Sequence, residues 1–199
     1  MLEEHDIIPL SRFRRCEIAP LIIFLDMQVE FVSAGRLLHI RNAARALSNA
    51  THLLTHARSN GLAIAHCRYR HSGNYFNPNT PYSTWIEGFE PNGSEMVFER
   101  GKPSGYTNAS FERMMESGGG RNAILVGFMG STSCLATLID AHERGHHVKF
   151  AHDASASIAS GHMSEVQAHR AAIHVASHFS DLVTTEEIVT QTVLEFRHG

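Results

Sequence analysis

The stretch Ala123-Ile-Leu-Val-Gly-Phe-Met-Gly-Ser-Thr-Ser-Cys134-Leu-Ala-Thr-Leu-Ile-Asp140 decides the fold. Ala123 to Val126 is an unbroken apolar run, as a strand buried on both faces requires. A Gly-rich turn ends it. From Thr132 to Arg144 the pattern is helical, with Gly145 as its stop. Cys134 falls where that helix begins. A thiol there meets free backbone N–H groups and the positive end of the helix dipole, both of which favour thiolate. A structural cysteine is more often found inside a strand or on a helix's apolar face, so Cys134 is read as a nucleophile.

The same alternation extends in both directions. Leu21 to Leu25 is a short buried strand stopped by Asp26, and a helical face runs from Ile40 through Ala43, Leu47, Ala50, Leu54 and Ala57 to Gly61. Leu62–Cys67 is the second strand and Glu95–Phe98 a third, weaker one, followed by a helical stretch from about Asn108 to Glu116. Beyond the quoted segment come a strand at Val148–Ala151, a helix at Ser164–Phe179, a short sixth strand at Leu182-Val183 and a last helix after Thr185. Strands alternating with helices predict a three-layer α/β/α sandwich with a mostly parallel six-stranded sheet, Rossmann-like in type. Residues 1–199 read as one domain, with 1–19 as an N-terminal arm. Residues 68–94, rich in Asn, Gly, Pro and Tyr, are too long for an ordinary connection and predict an excursion to an active site or an interface.

Composition narrows the function. A chain of 199 residues can bury a core without a disulfide or metal staple. The net charge of −3 comes with no Lys/Arg cluster, which argues against nucleic acid. Cysteines at 16, 67 and 134 are odd in number and scattered, which suits a reducing compartment. No apolar stretch approaches the roughly 18–20 residues of a membrane span, and the acidic N-terminus lacks a signal peptide's basic region. A cytoplasmic protein is expected.

In open parallel sheets ligands bind beyond the carboxyl ends of the strands. Asp26 closes the first strand, Lys102 lies just past the third and Cys134 follows the turn after the fourth: a carboxylate, an ammonium and a thiol at one sheet edge. At this point the chain resembles the isochorismatase-like cysteine hydrolases. Asp26-Met-Gln-Val-Glu-Phe31 is similar to their D-x-Q-x-x-F opening, and Lys102 followed by Ser104, Tyr106, Ala109 and Phe111 to their lysine segment. Val126 to Cys134 is similar to their nucleophile turn, and Asp140-Ala-x-x-x-Gly145 and Asp153-Ala match the continuation. The resemblance covers about residues 18–185.

It implies that Asp26 takes the thiol proton, that Lys102 stabilises the thiolate, and that Cys134 attacks an amide or ureido carbonyl to give a thioester. It also implies a cis peptide at Met129–Gly130, aiming the Gly130 and Cys134 N–H groups at an oxyanion, and a homo-oligomer whose neighbours wall the pocket. Where family nicotinamidases carry an Asp-x-His pair this chain has His66-Cys-Arg-Tyr-Arg-His71, so no metal or other cofactor is expected.

Two alternatives stay open: vinyl-ether hydrolysis of an isochorismate-like compound, which needs no thiol, and a flavodoxin-like module cradling a phosphorylated ligand at the same turn. The fifteen histidines, including His162, His169, His174 and His178, are read as solvated rather than ligating. Phe31, Trp85, Tyr106, Phe111 and Phe128 are the candidate substrate contacts. His66, Arg68 and Arg70 could receive a substrate carboxylate.

Overall fold

The apolar runs pair into one sheet. The computed structural model describes residues 19–197, with side chains to residue 191. Its strands are β1 (Leu21–Leu25), β2 (Ile64–Tyr69), β3 (Met96–Arg100), β4 (Ala123–Phe128), β5 (Val148–Ala156) and β6 (Leu182–Val183). They lie in the order β3-β2-β1-β4-β5-β6, and every pairing is parallel. Helices α1 (Ala44–Ser59), α2 (Ala109–Glu116), α3 (Leu135–Glu143), α4 (Glu165–Ala176) and α5 (Thr185–Arg197) connect and follow them.

Strand periodicity sorts the core into two layers. Along β1, Ile22 and Phe24 join one cluster with Leu53 and Leu54 of α1 and Ile188 of α5. Leu21, Ile23 and Leu25 join the other, with Phe111 of α2, Leu138 of α3 and Ala176 of α4. The sheet is therefore buried on both faces, which is why β1 and β4 read as unbroken apolar runs. This is the expected three-layer α/β fold. No helix among the described residues is long and apolar enough to cross a membrane.

Two differences from the sequence reading bear on the site. α1 starts at Ala44 rather than Ile40, although Ile40 and Ala43 still pack into the core. β5 runs on to Ala156 because its register against β4 shifts, from Leu125 opposite Phe150 to Gly127 opposite Ser155. That irregularity makes room for residues 151–154 and brings Ser155 and Ser157 up to the end of β4. Most of the expected N-terminal arm, with Cys16, lies outside the described residues.

The long excursion is anchored where β1 ends. Gln28 is fully buried; its amide nitrogen donates to the carbonyls of Tyr69 and Ser83, each at 3.0 Å, and its oxygen accepts from the Tyr69 N–H at 2.8 Å. Trp85 adds an antiparallel bridge to Gln28. One glutamine thus ties the excursion to the carboxyl edge of the sheet.

At Gly127 the chain leaves β4 with φ +137, and a Cβ there would stand 1.9 Å from the Leu25 carbonyl oxygen. Gly127→Ala should destabilise the fold by about 3 kcal/mol or more, combining left-handed strain with a backbone clash. Urea unfolding checks this, and a loss under about 1 kcal/mol would mean that the turn relaxes freely.

Candidate active site

Asp26 and Cys134 come together as the strand-end argument requires, but the cation beside them is a different residue. Asp26 is 1% exposed and sits in the left-handed region at φ 57, a conformation that acidic and amide side chains tolerate best. Its N–H donates to the Cys67 carbonyl at 2.8 Å, fixing it to the end of β2. Arg100, the last residue of β3, is 4% exposed and donates from one guanidinium nitrogen to Asp26 Oδ2 at 2.5 Å. Its other terminal nitrogen donates to the Lys102 carbonyl at 2.7 Å, and the guanidinium carbon lies 5.0 Å from the centre of the Tyr69 ring.

Lys102 is exposed and supplies only that carbonyl. The expectation that its ammonium joins Asp26 is corrected: Arg100 holds that place. The reason is strand periodicity, since Phe98 and Arg100 occupy the inward positions of β3, whereas Lys102 lies past the strand's end.

Burial raises the Asp26 pKa above the ordinary carboxylate range, and the Arg100 charge works against that rise. Oδ1 of Asp26 is buried and makes no hydrogen bond of good geometry, although the Ser133 hydroxyl and the Tyr69 N–H stand near enough to the carboxylate to hold its pKa down against burial. Burial also pushes the Cys134 thiol up, reinforced by the Asp26 charge and opposed by Arg100. Cys134 is fully buried and its Sγ donates to the carbonyls of Phe128 (3.4 Å) and Gly127 (3.6 Å). This balance favours the protonated thiol.

The helix start expected to favour a thiolate at Cys134 lies elsewhere. A π-helical turn, Gly130–Cys134, runs directly into α3, so the helical chain begins at Gly130 and Cys134 lies one turn inside it. Its N–H is already used, donating to the Met129 carbonyl at 3.1 Å. The expected cis peptide at Met129–Gly130 is also corrected. The described chain has no cis peptide bond, and Met129 makes the turn in the left-handed region at φ 58.

Of the candidate substrate contacts, Phe31 and Phe128 are fully buried and pack edge to face in the α1 layer, ring centres 5.8 Å apart. Phe111 and Tyr106 belong to the opposite layer, and the Tyr106 hydroxyl is 2.7 Å from His146 Nδ1 in the turn before β5, at the other end of the sheet. These four are core residues. Only Trp85 is partly exposed; the Arg68 guanidinium lies 5.0 Å from its ring centre.

The three basic residues of β2 and its end are committed to carboxylates of the chain itself. His66 is fully buried and its Nε2 meets Glu95 at 2.8 Å, where Arg58 also binds. Arg68 and Arg70 both pair with Glu99. Burial lowers the His66 pKa, whereas its hydrogen bonds hold Glu95 down at about 2, so the pair is a neutral imidazole donating to a carboxylate. Among the described residues, no three His, Cys, Asp or Glu side chains are gathered as metal ligands would be.

Two features of the site were missed in the sequence. Arg100 was legible from the alternation in β3. The other lies behind the nucleophile turn, where Ser155 Oγ accepts from the Gly127 N–H at 3.3 Å and Ser157 Oγ from the Ser131 N–H at 3.0 Å. His169 of α4 backs Ser157 at 3.2 Å. Nothing in helical spacing distinguishes His169 from its solvated neighbours.

A parallel α/β sheet thus carries a carboxylate, a guanidinium and a thiol at its carboxyl edge. The isochorismatase domain model matches residues 20–187, and the chain belongs to the isochorismatase family of hydrolases. It is 26% identical over 139 residues to an uncharacterized isochorismatase family protein of Bacillus subtilis, covering 68% of this chain and 77% of that one. It is 27% identical over 137 residues to the streptothricin hydrolase of Streptomyces noursei, covering 68% of this chain but 49% of that enzyme. Among solved structures, an isochorismatase of Pseudomonas putida superimposes with a TM-score of 0.77 at 26% identity, over 89% of this chain and 97% of the other.

Proposed function

We propose that this protein is a cysteine-dependent hydrolase of a small amide or N-carbamoyl compound, working through a Cys134 thioester. The observation that carries the proposal is the buried contact of Asp26 with Arg100 beside Cys134, at the ends of β1, β3 and β4. The similarity to a streptothricin hydrolase supports hydrolase activity.

Asp26, with its raised pKa, is a stronger base than an ordinary carboxylate. It takes the thiol proton as Sγ forms its bond to the carbonyl carbon. Arg100 keeps positive charge beside the resulting anion. Collapse of the tetrahedral intermediate breaks the C–N bond, and protonated Asp26 returns the proton to the leaving amine. Water, deprotonated by Asp26, then cleaves the thioester and restores the thiol.

The oxyanion would draw on the Gly130 N–H, which stands at the first position of its turn ahead of any partner within it. The Cys134 N–H would have to leave Met129 to join it. Sγ must likewise leave the two carbonyls that hold it. Trp85, partly exposed beside the end of β1, is the side chain placed to meet a substrate. A homo-oligomer belongs to the same proposal, and light scattering that finds only a 22.1 kDa species at micromolar concentration would remove that part of it.

The test is a panel of primary amides, N-carbamoyl compounds and nicotinamide, assayed for ammonia before and after chelation and after iodoacetamide. Release that survives chelation and stops when Cys134 alone is labelled is the expected result. Release that vanishes with the chelator and returns with zinc, or that persists with Cys134 fully labelled, would overturn the mechanism.

A further inference from the structure

We infer that Ser157 and His169 form a positioning pair that holds the nucleophile turn in register, resting on the cysteine-hydrolase function proposed above. His169 Nε2 lies 2.9 Å from the His152 carbonyl oxygen, which can only accept. Nε2 therefore carries a proton, and in the neutral ring Nδ1 is an acceptor. The Ser157 hydroxyl, 3.2 Å from Nδ1, must then donate to it, which turns the serine's lone pairs toward the Ser131 N–H at 3.0 Å. The result is a directed chain, Ser131 N–H to Ser157 O–H to His169 N–H to the His152 carbonyl. Each link fixes the direction of the next.

A second, independent observation joins this chain to the turn. A Cβ on Gly130 would stand 2.9 Å from His169 Nδ1 and 3.0 Å from Ser157 Oγ, so the pair forms the wall against which the turn closes. Gly130 carries the one amide at the start of that turn, and Ser131 is its neighbour. A shift of the wall would move the Gly130 N–H directly. Ser157 is 1% exposed and His169 half-buried, and burial lowers the His169 pKa, which favours the neutral ring in which Nδ1 accepts. Neither residue touches Cys134, so both are positioning rather than catalytic residues.

The test separates acylation, which needs an oxyanion site, from alkylation, which does not. Wild type, Ser157→Ala, His169→Ala and His169→Asn are each treated with p-nitrophenyl acetate and, separately, iodoacetamide, and adducts on Cys134 are followed by mass spectrometry. Acylation should slow about tenfold in both alanine variants, the scale of one lost hydrogen bond in a transition state. Alkylation should stay within about twofold, a smaller effect than the loss of any one such bond. His169→Asn, whose Oδ1 can replace Nδ1 as acceptor, should recover most of the acylation rate. Equal losses in both reactions, or no recovery in the asparagine variant, would overturn the pair.

Amide hydrogen exchange on the peptide spanning residues 127–135 gives a measure independent of chemistry. Faster exchange at Ser131 in both alanine variants supports the pair, and unchanged exchange overturns it. If wild-type Cys134 accepts neither reagent, the hydrolase proposal fails, and the exchange result still decides the positioning role.

Discussion

Cys134→Ala is expected to leave hydrolysis at least about 10⁴-fold below wild type, the scale on which removal of a covalent nucleophile is felt. The fold should survive. Sγ makes only sulfur contacts with the Phe128 and Gly127 carbonyls, which lie at the end of β4, and the cavity left by one sulfur atom costs about 1 kcal/mol. A thermal unfolding midpoint close to wild type, together with lost turnover and lost iodoacetamide labelling, separates a chemical defect from a structural one. Cys134→Ser sharpens the result. A hydroxyl can still donate to one of the two carbonyls, so the side chain keeps a partner, but it is a far weaker nucleophile beside the same base. Activity near wild type in either variant would mean that the thiol is idle and would favour vinyl-ether hydrolysis, in which Asp26 serves as an acid.

The architecture was legible in the sequence because burial on both faces leaves a plain trace. Leu21–Leu25 and Ala123–Val126 admit no polar residue, and Asp26 stops the first run where the sheet edge begins. The site was only half legible. Asp26 and Cys134 each follow an apolar run, whereas Lys102 was singled out by its place just past β3 and its similarity to a family lysine segment. Arg100 lies inside β3, a strand of alternating burial and mixed polarity, where a charged residue reads as solvent-facing unless the phase is counted from Phe98.

The dipole argument for Cys134 failed for a related reason. Residues 130–134 wind as a π-helical turn, and nothing in Gly-Ser-Thr-Ser-Cys distinguishes one extra residue per turn from an irregular loop. The phenylalanines at 31, 111 and 128 follow or flank the motif residues in sequence, yet all three are fully buried in the core. The Ser157–His169 contact depends on the β5 irregularity, a feature of register between two strands that a single strand's residues cannot announce.

Substitution at the Asp26–Arg100 pair should have the second largest effect, and its direction differs with the partner removed. Asp26→Asn removes the base and should lower hydrolysis about 10³-fold. It also leaves the Arg100 guanidinium, 4% exposed, without its counter-charge, which should cost about 3–5 kcal/mol of stability. Arg100→Leu acts through the opposite charge. Burial already raises the Asp26 pKa and the guanidinium restrains it, so removing the guanidinium raises it further. At neutral pH fewer molecules then hold an ionised base, and the acid limb of the rate profile should move to higher pH, with activity partly returning under alkaline conditions.

Stability follows the same sign. A carboxyl whose folded pKa exceeds its unfolded value of 3.8 binds its proton more tightly when folded. The variant should be most stable below that value and lose stability as pH rises through the folded pKa. Arg100→Lys keeps a charge but not the fork that reaches both Asp26 Oδ2 and the Lys102 carbonyl, so an intermediate acid limb is expected. The cation beside Asp26 should add no alkaline limb to the wild-type rate profile near the ordinary lysine value of about 10, because a guanidinium stays protonated throughout the accessible range. Rate profiles from pH 4 to 10.5 and urea unfolding at the same pH values test all three variants together. An acid limb that stays fixed in Arg100→Leu would show that Asp26 is not the base, and an alkaline limb abolished by Lys102→Met would return the cationic role to Lys102.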